Sequence, residues 1–159
     1  MTSDVSPAPC RCCDENAVTK LMYLYAERID AGDFEGLADL FADAVITFEG
    51  IPERVTHGRD EALAMYEQFT RRYADNGTPH TRHAMTNVIV HVDDDGLRAT
   101  SRSSFMVLQR TEAFPLQPVI VGRYADELVK KDGEWRFAHR HMYSDHVGDL
   151  SAHMLVDPF

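Results

Sequence analysis

No stretch of this chain approaches the roughly 20 consecutive apolar residues that cross a bilayer, so a transmembrane helix is excluded at the outset. Basic residues are outnumbered. Lys and Arg total 16 against 26 Asp and Glu, a formal charge of −10, with the acids spread along the chain. Nucleic acid and anionic membrane both demand a basic footprint, so neither is expected as a partner. The Gly-x-Gly-x-x-Gly fingerprint, the phosphate loop and the Gly-x-Ser-x-Gly elbow are all missing. Nucleotide cofactors and serine-hydrolase chemistry lose their usual support, and no cofactor is expected. Cysteine is scarce: the 3 residues crowd into Cys10-Arg11-Cys12-Cys13. Structural zinc draws on two ligand pairs from separate segments, and this cluster supplies no second pair. Met1 to Pro9 has neither the basic n-region nor the apolar h-region of an export signal. The expectation is a reducing, cytoplasmic setting.

What is present reads as one domain. A chain of 159 residues, 44% apolar and 26% charged, is long enough to bury a core. Residues 1–13 are expected to form a flexible Cys-bearing arm and 14–159 a single domain. Asp14 is placed as the cap of a first helix running to about Ala31, with Ala31-Gly32 as its stop signal. Asp33 caps a short helix over 34–41, residues 44–49 alternate like a strand, and 60–73 carries Ala62, Met65, Tyr66 and Phe69 at helical core spacing. After the turn-rich Asp75 to Pro79, long strands are expected over 82–92, 97–110, 118–131 and 134–144. Lys131-Asp132-Gly133 supplies a hairpin turn. Helices followed by an antiparallel meander give an α+β class. Strands this long force the sheet to bend, and a curved sheet under helices encloses a pocket for a small apolar ligand.

Asp30 stands out. It closes Leu21 to Ile29, a helical stretch apolar around most of its circumference and therefore expected to be buried. In the last helical turn a carboxylate meets the negative end of the helix dipole, so its charge needs another partner. His83 is the candidate, in Thr81-Arg82-His83-Ala84-Met85-Thr86-Asn87, sharing a strand face with Met85, Asn87 and Ile89 by period-two alternation. A carboxylate fixes the tautomer of such a histidine and stabilises its imidazolium, which makes a general base. Tyr25 lies five residues before Asp30, about 140° around a helix, and both can border one cavity. Its phenol suits a developing oxyanion. Arg140 shares parity with Ala138 and Met142, opposite Trp135 and Phe137. If Ala138 lines the cavity, Arg140 offers a fixed positive charge; if not, it is a solvated or salt-bridged arginine, and a bulge would reverse the parity. His139 and His141 form an H-x-H pair able to chelate, but no third ligand follows from the chain, so no metal is expected.

Several segments recur in the order of a known family: Tyr25-Ala26-Glu27-Arg28-Ile29-Asp30-Ala31-Gly32-Asp33, Leu40-Phe41-Ala42-Asp43, Gly58-Arg59, His83 with Asn87, Gly122-Arg123-Tyr124 with Asp126, and Asp132-Gly133 with Trp135-Arg136-Phe137. Over about 14–155 the chain resembles the SnoaL-like branch of the nuclear-transport-factor-2-like superfamily. The resemblance implies a conical α+β barrel of a strongly curved mixed sheet with three N-terminal helices covering an apolar pocket, assembled as a homodimer or homotrimer. It is similar to scytalone dehydratase, bile-acid 7α-dehydratase and hexachlorocyclohexane dehydrochlorinase, whose Asp–His dyad falls on Asp30 and His83. The dehydratase tyrosine falls on Tyr25 and a pocket arginine on Arg140. The dehydrochlorinase lysine has no match at Tyr25, and scytalone dehydratase's second pocket tyrosine is not identifiable in Val45 to Gly50. The implied activity is a cofactor-independent lyase of dehydratase type acting on a small apolar cyclic or polycyclic substrate. Isomerisation or cyclisation shares its first step. The alternative from another class is a non-catalytic small subunit of a ring-hydroxylating dioxygenase, or a ligand-binding module.

Overall fold

A computed structural model describes residues 10–156. The first helix, α1 (Arg11–Ala31), begins three residues before the expected Asp14 cap, and its N-cap Cys10 makes no side-chain capping bond. Asp14 is turned to a tertiary task. Only 6% exposed, it accepts hydrogen bonds from Lys130 Nζ (2.6 Å) and Trp135 Nε1 (2.8 Å). The Lys130 bond, then the Trp135 bond, hold its carboxyl below the usual range. Cys12 and Cys13 consequently lie in the first helical turn, exposed. Residues 1–9 of the expected arm lie outside the described residues.

Val18, Met22, Tyr25, Ala26 and Ile29 form one buried stripe along α1, at the i, i+4, i+7, i+8, i+11 spacing of a helix face. Each large side chain buried there contributes about 1.5–3 kcal/mol. The helix is not buried all round, however, since Tyr23 is half exposed. Gly32 ends α1 at φ +72°, and a Cβ there would lie 2.2 Å from the Gly77 carbonyl oxygen. Both the left-handed backbone and the close approach require glycine. Asp33 then caps α2 (Phe34–Asp39) by accepting from Gly36 N–H at 2.9 Å, as expected.

Strand β1 (Val45–Phe48) is followed by β2 (Val55–His57), which the sequence pattern did not reveal. Helix α3 (Gly58–Phe69) starts earlier and stops earlier than expected. The long strands are β3 (Thr81–Val92), β4 (Arg98–Gln109), β5 (Gln117–Lys131) and β6 (Glu134–Val147). Asp132 and Gly133 both take positive φ, as the tight β5–β6 hairpin demands. The sheet has six strands in the order β2-β1-β6-β5-β4-β3, and only β1 and β6 run parallel. The expected cone is thus an open, curved mixed sheet, α+β in class, with β2 and β3 as its edges.

Four register shifts interrupt the ladders, and two of them reset the strand parity read from the sequence. The β3–β4 register shifts between Thr86 and Ile89, where Asn87 takes φ +52°. Asn87 and Ile89 therefore leave the face of His83, contrary to simple alternation, and Ile89 is 49% exposed. On β6 the register opposite Glu127 and Leu128 steps from His139 to Phe137, leaving Ala138 as the extra residue. Trp135, Phe137 and Arg140 all point into the core as a result. Among the described residues no helix is long and apolar enough to cross a membrane.

Candidate functional site

The helices and the sheet enclose a largely apolar cavity of about 120 Å³, open to solvent at one end. That is close to the ~150 Å³ void that holds one benzene ring. Ile29, Met65, Phe69, Phe105, Val107 and Met142 supply much of its apolar wall. The polar groups on it are few and decide its chemistry.

His83 lines the cavity from the start of β3, while Asp30 stands behind it at the end of α1. Asp30 Oδ1 accepts from His83 Nδ1 (2.6 Å) and from Thr81 Oγ1 (2.8 Å), and Oδ2 accepts from His83 backbone N–H (2.7 Å). Its side chain is only 6% exposed. Burial pushes the carboxyl upward, yet the His83 and Thr81 bonds outweigh it and the net direction is down. These donors answer the unfavourable end of the helix dipole. An ionised carboxylate only accepts, so Nδ1 carries the proton and Nε2 is left with no bond to a described residue. The pair is set up for Nε2 to receive a proton, with Asp30 stabilising the resulting imidazolium.

Tyr25 also lines the cavity, edge-on to the His83 ring at 6.3 Å between centroids. Tyr66 and Tyr124 stand beside it, with ring centroids 6.5 and 5.6 Å away. Burial, followed by the neighbouring Tyr25, raises both Tyr66 and Tyr124 well above the ordinary phenol value. The Tyr66 hydroxyl is buried without a partner in good geometry.

Arg140 is elsewhere. Its side chain is fully buried and bonds Asp126 through Nε (2.7 Å) and Nη2 (3.0 Å). Its guanidinium sits 4.3 Å from the Tyr25 ring centre and 4.2 Å from that of Tyr124, behind the cavity wall rather than in it. The expected cavity-facing charge is a structural pair whose route to the cavity runs through aromatic rings.

His153 went unselected by sequence reasoning, yet it lines the cavity and is 3% exposed, with Nδ1 unpartnered. Burial, then the nearby His83, push its pKa down to about 4, against a smaller upward pull from Asp30. It sits on an irregular segment held by Arg71 N–H to the His153 carbonyl (2.9 Å) and by Gln109 Nε2 to the Ala152 carbonyl (3.0 Å). No periodicity marks such a segment, and only the histidine itself was a signal. Tyr66 was legible as a core position and Tyr124 as part of the Gly122-Arg123-Tyr124 segment, neither as a site residue. His139 Nε2 and His141 Nδ1 both contact Thr47 Oγ1 (2.8 and 2.7 Å), and His141 Nε2 meets Glu49 at 3.2 Å. Among the described residues no three His, Cys, Asp or Glu side chains converge as a metal centre requires.

Comparison with known proteins agrees with this architecture. A Mycobacterium tuberculosis protein of unknown function, Rv3472, solved as a single-substitution variant, is 29% identical with a TM-score of 0.68, over 91% of this chain and 79% of its own. A Novosphingobium aromaticivorans protein provisionally named a scytalone dehydratase is 26% identical with a TM-score of 0.69, over 87% of this chain and 88% of its own. An NTF2-like protein with a cystatin-like fold from the same organism has a TM-score of 0.70 at 19% identity, over 89% and 87%, a likeness of fold alone. No curated protein matches the chain. Residues 11–141 match the family described as SnoaL-like domain, and the chain belongs to that family.

Proposed function

We propose that the protein is a cofactor-independent lyase of dehydratase type, acting on a small apolar cyclic substrate. The observation that carries this reading is the Asp30–His83 contact of 2.6 Å at the wall of an apolar cavity, with Nε2 uncommitted. In the reaction, His83 Nε2 takes the proton from the carbon next to a carbonyl, and the C–H electrons enter an enolate. The enolate then expels the β-hydroxyl, which leaves as water with the proton returned from His83. Asp30 orients the ring and stabilises its transient charge. Tyr25 donates a hydrogen bond to the substrate oxygen as charge develops there. Arg140 acts only as a positioning residue, its charge held against the faces of Tyr25 and Tyr124. A cavity of about 120 Å³ fits a single ring, so a polycyclic substrate would have to extend through the mouth.

Cyclic β-hydroxy ketones incubated with the protein are expected to yield a product lighter by one water. His83→Ala should lower turnover by about 10²–10⁴-fold in protein that remains folded. Undiminished dehydration by that variant would overturn the assignment. Isomerisation or cyclisation shares the proton-abstraction step, and retention of mass in an isomerised product would identify it.

A further inference from the structure

Apolar cavities seldom carry a permanent charge, and this one carries a cation at its mouth. Arg54 lies in the turn joining β1 and β2, where its backbone N–H bonds the Ile51 carbonyl at 3.0 Å and brings both residues to the cavity lining. Its guanidinium is held 4.4 Å over the Phe69 ring and 5.6 Å from that of Phe48, and both rings line the same cavity. Stacking fixes the plane of the guanidinium while leaving its N–H edge available. Among the described residues it has no acidic partner and no side-chain hydrogen bond, unlike Arg59, Arg123 and Arg140, which are each paired with a carboxylate. Glu49 is the acidic residue in the lining, and it is exposed and engaged by His141 Nε2 at 3.2 Å. At the inner end, the Tyr66 hydroxyl and His153 Nδ1 are buried without partners.

From this arrangement we infer that the cavity takes an amphiphilic ligand, with an oxyanion such as a carboxylate held by Arg54 at the mouth and an oxygen-bearing ring inside beside Tyr66 and His83. A planar guanidinium pairs with an oxyanion through two parallel N–H···O bonds, which a neutral ligand cannot reproduce. On a protein of formal charge −10, a local cation is also what lets an anion approach this opening. The volume fits the same picture: about 120 Å³ houses one ring and leaves a polar tail to reach the rim. The inference rests on the cavity being the substrate site.

The test compares two single-ring probes of similar shape, the anion 3-(4-hydroxyphenyl)propanoate and the uncharged 3-(4-hydroxyphenyl)propanamide, titrated by calorimetry into the full chain. Shifts of the His83 ring resonances report whether each probe occupies the cavity. The wild-type protein should bind the carboxylate at least about tenfold more tightly than the neutral probe. Arg54→Gln should bring the two affinities within about twofold without weakening the neutral probe, which serves as the control for folding. Arg54→Lys should retain part of the preference. An anion preference untouched by Arg54→Gln, or carboxylate binding that leaves His83 unshifted, would overturn the inference. Binding is read without turnover, so a protein inactive on every hydroxy ketone leaves this outcome standing, and a lost anion preference leaves the proton-transfer assignment untouched.

Discussion

Two buried acid–base pairs border the Tyr25 ring, and they differ in what each leaves open. Asp30 and His83 meet at 2.6 Å, and Asp126 and Arg140 at 2.7 Å. In both, the carboxylate accepts from a second residue as well: Thr81 at Asp30 and Ser101 at Asp126. The first pair, however, ends in an imidazole nitrogen on a solvent-connected cavity, whereas the second is enclosed by the rings of Tyr25, Phe41, Tyr124 and Phe137. A proton can reach and leave the first pair. The second has no exchange partner, and its charge is fixed.

That contrast is broken most severely at the sealed pair. Asp126→Ala leaves a guanidinium buried and unpaired, and should cost about 3–5 kcal/mol in urea unfolding. Replacing both partners together with apolar residues of similar volume should recover much of that loss, because the desolvation of both charges disappears with them.

At the open pair the main loss should be in activity. Asp30→Asn keeps the shape and weakens the hydrogen bonds, with an expected stability loss of about 1–3 kcal/mol and a larger fall in turnover. The same variant isolates a pH effect. The folded Asp30 carboxyl is held below its ordinary value, so its stabilisation is fully present above the unfolded carboxylate range near ~3.9 and is lost as pH falls through the lower folded value. Acid unfolding followed in wild type and Asp30→Asn should therefore show a smaller decline of stability in the variant over that window. Parallel curves would mean that the carboxylate carries no linked proton.

The smallest effect on stability is expected at Tyr66→Phe. Its hydroxyl is buried without a partner, so removal should change the unfolding free energy by no more than about 0.5 kcal/mol, while affinity for an oxygen-bearing ring falls. A large destabilisation would mean that the hydroxyl is bonded to Tyr25 in the resting protein.

The contrast between the pairs also marks how far the chain could be read. Asp30 was legible because its position at a helix C-terminus posed an electrostatic question, and His83 because it opens a long strand. The order of helices and long strands followed from periodicity and turn residues such as Asp132-Gly133. Arg140 was misjudged because parity counted along β6 fails at Ala138, and a bulge has no fixed residue signature. Asn87 and Ile89 fail for the same reason on β3. Asp14 looked like a cap because its type suits one, but Lys130 and Trp135, over a hundred positions away, claim its carboxylate. His153 belongs to a segment whose placement is set by tertiary hydrogen bonds alone, and local pattern holds no trace of those.

The bulge at Ala138 makes residue number a carrier of information in its own right. Deleting that one residue would bring Phe137 and Arg140 to alternate positions on a regular stretch of β6. Trp135, Phe137 and Arg140 would then still face inward and His139 and His141 outward, with only the local bend and added twist of the bulge removed. A deletion between regularly paired residues of the same strand would instead exchange the two faces of everything beyond it. The strand can thus lose a residue where it bulges and not where it pairs regularly.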